Sequence, residues 1–372
     1  MSFSVDTVGL AGLPTLLDRL AEDARSGTAH LDGETDINWT GEGLINILSG
    51  GHRNVQDQVR TFLQTVDTGV ASPTAAAVRA SLAYYIDTDH ANAEALDRTY
   101  PPVTGDDVRQ GTVPMRPGVA HFQDTAEPQS RFKPPPDYNG AYPHEPRWFD
   151  MVSPGALLRD AIWTVTGAAA SLGICDRAYD PYEVILKPVL GDWASVRGCA
   201  DVFRNLADGL GDMGTNALWA SQSTEAAWTG QASSGCVAHL VSVSKELSRA
   251  QQPLRDIARE YEGAADSMNE LRNTIAALLN DIADAAIMAA ASAGVAGLAG
   301  STGVGLPVAL IIGAFTLTRI YKVVNGLFAV FDLIARADAA QNAVSSAQNS
   351  FGKIDSGSPL PTLPQLVPPL PA

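Results

Sequence analysis

Leu10, Leu13, Leu16, Leu17 and Leu20 recur at threes and fours, on one face of a helix with 3.6 residues per turn. The spacing predicts a first helix, broken by Gly27, Gly33, Asp36 and Asn38. A second helical run opens near Glu42 and carries Val55, Val59, Phe62, Leu63 and Val66 as its apolar stripe. Gly69 and Pro73 interrupt it, and it resumes over Ala75–Leu96 until Pro101-Pro102. Two helices around a short corner predict an antiparallel hairpin over residues 1–100.

Residues 101–153 lose this periodicity and gain prolines, Pro134-Pro135-Pro136 among them. Proline removes a backbone donor from helix and sheet alike, so the segment reads as a linker. Phe132, Tyr138, Tyr142, Trp148 and Phe149 are costly to leave in water, so the linker is expected to lie on a neighbouring domain.

Helical spacing returns at Gly155–Leu172, with Leu157, Leu158, Ile162 and Trp163 as the apolar set. A long run over Asp192–Ala226 places Trp193, Val196, Cys199, Phe203, Leu206 and Leu210 on one stripe. After Trp228-Thr229-Gly230 the pattern resumes from Ser233 to about Asp284, with Leu240, Leu247, Leu254, Tyr261, Met268 and Ile275 in its core. Helices this long need a partner to cover the stripe, and the preceding helix is the nearest. This second, longer helical module spans 154–284.

Ala285–Thr318 contains no charged residue and turns around Ser301–Pro307. With Ile320–Ile334 it predicts an Ala/Gly-rich apolar hairpin over 285–340. A span needs ~20 apolar residues, and only Val308–Phe315 is strongly apolar here, so a packed hairpin competes with membrane contact through 285–335. The Pro-rich stretch 341–372 is expected to be a disordered tail. The fold class is all-α: antiparallel helical hairpins in an elongated bundle, with a Pro-rich linker and tail.

The formal charge of -16, with positive residues scattered singly, excludes a nucleic-acid binder that works by meeting phosphates with a basic face. Enzyme chemistry finds no support. The six histidines lie far apart, without an HExxH or an i, i+4 pair. Gly50-Gly51-His52 reads as a turn, and no phosphate loop is present. No catalytic, cofactor-binding or metal-ligating set is expected, and no cofactor. The three cysteines form no CxxC, and any disulfide is expected to join Cys175 and Cys199. Met1–Asp6 opens without a basic and apolar leader, so no cleaved signal peptide is expected.

One motif occurs twice. Trp39-Thr40-Gly41 sits between the helices of the first hairpin, and Trp228-Thr229-Gly230 between those of the second. Glycine permits a tight or left-handed turn, and tryptophan inserts a large apolar face between helix ends. Here the chain resembles the WXG100 superfamily, helical hairpins exported by the type VII (ESX-like) secretion systems of actinobacteria and other Gram-positive bacteria. The family carries a Tyr-x-x-x-Asp/Glu signal late in the second helix, and Tyr85 and Asp89 supply it here. At i, i+4 they would share one helix face, open to a secretion ATPase. In the second hairpin Tyr261 is followed by Ala265, with Asp266 one position late, which reads as structure rather than signal.

The resemblance covers about 1–100 and, more loosely, 185–285. It implies a protein secreted through a type VII system to the cell exterior or surface, similar to the N-terminal delivery part of larger effectors. A Pro-rich tail stands where such effectors carry a toxin, so the expected function is non-enzymatic delivery. The implied partners are the type VII machinery and either a small WXG100-like protein or the chain's own second hairpin. Two alternatives remain open: a membrane-active protein using 285–335, and a helical assembly protein without an export role.

Overall fold

The computed structural model describes residues 3–39, 43–88, 90–98, 122–142, 154–180, 185, 187–301, 306–335, 342–347 and 360–364. Trp148 and Phe149 lie outside them. Among them the chain is predominantly helical. Its elements are β1 (Ser4–Val5), α1 (Thr7–Leu10), α2 (Gly12–Glu34), α3 (Ser49–Gln64), α4 (Ser72–Asp87), α5 (His90–Asp97), α6 (Pro154–Ser171), α7 (Trp193–Ala227), β2 (Trp228–Thr229), α8 (Gln231–Ser301) and α9 (Leu306–Ala335).

Glycine interrupts the helices less than its propensity suggests. α2 runs through both Gly27 and Gly33 to Glu34. Gly27 is where three side chains close in: a Cβ there would lie 3.3 Å from Phe132, 3.4 Å from Leu63 and 3.5 Å from Leu206. Packing offsets the roughly 1 kcal/mol that glycine costs in a helix interior. Gly50 and Gly51, expected in a turn, lie in the first turn of α3. Between α3 and α4 the chain stays helical as a π segment, Thr65–Ala71. Pro73 has no N–H to offer the carbonyl four residues back. The widened register absorbs this, and the Ser72 N–H bonds to the Asp67 carbonyl instead.

α7 and α8 run antiparallel from the Trp228 corner. Phe203 stacks on Tyr261 with ring centroids 5.3 Å apart, Asp208 pairs with Arg255 at 2.7 Å, and Gly214 backs onto Ser244 and Ser248. α8 carries Pro253 and passes Asp284-Ala285 without interruption to Ser301, 71 residues or roughly 105 Å. α2 packs on α7 along one face and on α3 and α4 along the other, while α6 and α9 cover α8. The core is continuous across them. α9 buries Ile320, Val323, Val324, Leu327 and Val330. Among the described residues no helix is long and apolar enough to cross a membrane.

Three expectations change. Trp163, placed in the apolar set of its helix, is 53% exposed, while Ile162 of that set is buried and Val165 is buried beside it. All three cysteines are free: Cys175 donates to the carbonyls of Thr166 and Arg177, while Cys199 is buried against the Thr35 carbonyl. The tail, expected to be disordered, is helical over 342–347 with Val344 and Ala347 buried, and Leu360 is buried too.

The proline-rich segment 122–142 is a strap laid along the groove between α2 and α7. Phe122 lies over Gly12, where a Cβ would come within 2.9 Å of its ring. Phe132 fills a slot between Gly27 and Gly209, stacks on His30 at 5.7 Å, and leaves only 2.5 Å for a Cβ on Gly209. Polar ties flank these anchors. The Thr125 and Ala126 amides donate to Asn216 at 2.9 Å each, and Arg131 pairs with Asp212 at 2.7 Å. The Tyr138 hydroxyl donates to Asp201 at 2.6 Å, and that of Tyr142 donates to Asp266.

Candidate functional site

The second corner is built from four parts of the chain. Trp228 leaves α7 in extended conformation and is 3% exposed. β2 pairs antiparallel with β1, matching Ser4 to Thr229 and Val5 to Trp228. The Asp6 amide donates to the Ala227 carbonyl at 2.7 Å, which fixes the amino-terminal segment to the end of α7. Tyr85, near the end of α4, sets its ring 5.8 Å from that of Trp228 and 5.6 Å from that of Phe3. Edge-on and tilted contacts of this kind add roughly 1 kcal/mol each beyond area burial.

Gly230 completes the corner for two reasons. Its φ of +128° lies where side chains are rarely tolerated. A Cβ there would also stand 2.6 Å from a carboxylate oxygen of Asp97. That carboxylate, at the end of α5, accepts the Gln231 amide at 2.8 Å and the Ala232 amide at 2.9 Å. It caps the start of α8 from another part of the chain, where the helix dipole favours negative charge. Asp97 is 4% exposed although charged, and these two amides satisfy it.

The first corner has a related plan. Trp39 is half-buried, packed on the core, with its ring 5.5 Å from His52. Gly41 lies outside the described residues. His52 Nε2 meets the Thr35 carbonyl at 3.0 Å, and Nδ1 meets the Tyr261 hydroxyl at 2.6 Å. A carbonyl can only accept, so Nε2 carries the proton and Tyr261 donates to Nδ1. The neutral ring satisfies both contacts, and burial lowers its pKa to about 4. Burial also raises the Tyr261 pKa well above the ordinary value. Asp192 joins this corner to α7: it accepts the Asn38 amide at 3.2 Å and caps the helix through Ser195 at 3.1 Å.

Each tyrosine thus lies against the other half's corner. Tyr85 of the amino-terminal half meets Trp228. Tyr261 of the later half reaches Trp39 through His52.

Comparison with family models, curated proteins and solved structures finds no match.

The structure alters the expected signal. Tyr85 is 8% exposed, so its ring is not open to a partner. α4 ends at Asp87, and Thr88 is extended at φ -117° and ψ 142°, so the helix face that carries Tyr85 stops before Thr88. Asp89 itself lies outside the described residues. Sequence reasoning missed Asp97 and His52. A capping aspartate 134 positions before the first residue of its helix leaves no local signal. His52 does sit at helical spacing with Val55 and Val59, and that spacing could have marked it as inward-facing. Among the described residues no group of three His, Cys, Asp or Glu side chains could hold a metal ion.

His52 makes stability depend on pH. The folded state disfavours the charged ring, so between pH 6.5 and about 4 the unfolded chain binds more protons. Stability is full above 6.5 and is lost as pH falls through that window, by about 3 kcal/mol. Urea unfolding of the native protein at pH 7 and 4.5, beside His52→Gln, checks this. The variant has a lower baseline and loses the part of the slope due to this ring.

Proposed function

We propose that the chain is a non-enzymatic delivery protein of the type VII (ESX-like) kind, exported through its amino-terminal helical hairpin. In this reading residues 1–100 and 154–284 are two WXG100-like hairpins, and the second stands where a separate small partner would. The carrying observation is the contact between Tyr85 and Trp228, with Phe3 on the same ring. Tyr85 then orients the end of the hairpin on the second corner, and the recognised surface begins beyond it, at residue 88. The acidic chain, whose two halves share one core, suits a protein that leaves the cell folded.

Export of the native protein is compared with Asp89→Ala, Tyr85→Phe and Tyr85→Ala in a bacterium with a type VII system, with a cytoplasmic marker for lysis. Asp89→Ala is expected to cut the supernatant fraction at least tenfold while circular dichroism stays native. Tyr85→Phe keeps the ring and is exported; Tyr85→Ala leaves a cavity at Trp228 and is retained. Equal export of all four forms, or retention of the native form, overturns the reading. The native chain purified alone is expected to be monomeric, since its own second hairpin covers the first.

A further inference from the structure

The strap covers a buried carboxylate on α2. Asp23, on the face of α2 under the strap, is 5% exposed. Its hydrogen bond comes from the strap: the Gln129 side-chain amide donates to Oδ1 at 2.9 Å. Among the described residues Asp23 forms no ion pair. Arg19, one turn earlier, is turned to the strap instead, pairing with Asp124 at 2.5 Å and donating to the Phe122 carbonyl at 2.8 Å. A buried carboxylate with a single neutral donor is far better accommodated protonated than charged.

We propose that the strap is a pH-sensitive clamp on the groove between α2 and α7, seated while Asp23 is protonated and released as Asp23 ionises. Burial and the neighbouring carboxylates disfavour the charged form of Asp23, while the Gln129 amide and Arg19 act the other way. From its own helix come Glu22 and Arg19, and from the strap Asp124, so the carboxylates outnumber the guanidinium. On the α7 side Asp212 is taken up by Arg131, and on the π segment Asp67 is taken up by Arg25. Burial, ahead of these charges, raises the Asp23 pKa to about 6. His30, stacked on Phe132, opposes at the acid end: burial lowers its pKa, and charging it would strain the same slot.

The sign is set by linkage. The seated strap holds the Asp23 proton and the released strap does not, so seating is favoured in acid and lost as pH rises through 6. The strap can leave without unfolding the helices, because its hold is side chains in a groove rather than a ladder of backbone bonds. Release sends the carboxylate to water and uncovers Gly27 and Gly209. The device is independent of whether the chain is exported.

Hydrogen exchange of the full chain tests it, read at the Thr125 and Ala126 amides that the strap offers to Asn216 and corrected for intrinsic rates. Protection is expected to fall about tenfold between pH 5 and 8, and by at most about 100-fold over a wider range. Asp23→Asn keeps the acceptor for Gln129 without the charge, and is expected to stay protected across the range. Strap protection in the native protein that does not change with pH, or the same fall in Asp23→Asn, overturns the proposal. Should that variant not fold, the carboxyl carbon shift of Asp23 in the native protein decides: a midpoint near 6 supports the clamp, and one near 4 overturns it.

Discussion

Gly230→Ala destabilises the protein by about 3 kcal/mol and opens the second corner. Two costs combine. A Cβ at φ +128° carries backbone strain of roughly 1–3 kcal/mol. The same atom would stand 2.6 Å from the Asp97 carboxylate and drive it off the Gln231 and Ala232 amides. Losing that cap costs ~1 kcal/mol more. The check is a double-mutant cycle by denaturant unfolding. In an Asp97→Ala background the carboxylate is gone, so Gly230→Ala is expected to cost about 1 kcal/mol less there. Additive losses would mean that the glycine answers to backbone conformation alone. Gly230 therefore serves the approach of α5 as much as the turn, which gives the Trp-x-Gly pattern a physical meaning at this position.

Gly209→Val is the second large effect, with an expected loss of about 3 kcal/mol and release of the strap. A Cβ on Gly209 would lie 2.5 Å from one ring carbon of Phe132 and 2.7 Å from another, and a valine adds two further methyl groups. The ring cannot yield sideways, because Gly27 and His30 close the far side. Overpacking of this kind costs roughly 1–3 kcal/mol, and expelling the ring forfeits its burial besides. Phe132→Ala alone is expected to cost about 2 kcal/mol, since the ring is only partly buried. The two together should cost less than their sum, because valine would fill part of the space that the ring leaves. Unfolding midpoints of the three variants test this, with protease sensitivity between residues 122 and 142 reporting on the strap. A double variant as unstable as the sum would show that the two positions do not share a slot.

The two pH effects act in opposite directions. His52 removes stability as pH falls below 6.5, whereas Asp23 loosens the strap as pH rises through 6. The strap is held tightest below pH 6, where the His52 contact is already losing stability. The Asp23 effect acts on the strap and the His52 effect on the contact between the first corner and α8, so exchange at strap amides separates them from global unfolding.

The amino-acid sequence by itself determined the helices. Apolar spacing at threes and fours located α2, α4, α7 and α8, since that period is a local property of the chain. It also marked Phe132, Tyr138 and Tyr142 as aromatics that a free linker would not expose, and each is seated on the helices. Only the tertiary structure decided what the glycines do. Local propensity marks Gly27, Gly33 and Gly50 as breaks, and all three lie within helices. Gly27 and Gly209 make room for a ring that is distant from both along the chain, and Gly230 for a carboxylate on a helix of the other half. Such contacts depend on which surfaces meet, and no local period records that. The same holds for Tyr85: its spacing suggested an open helix face, but the burial that hides it comes from Phe3 and Trp228, brought together by the pairing of β1 with β2.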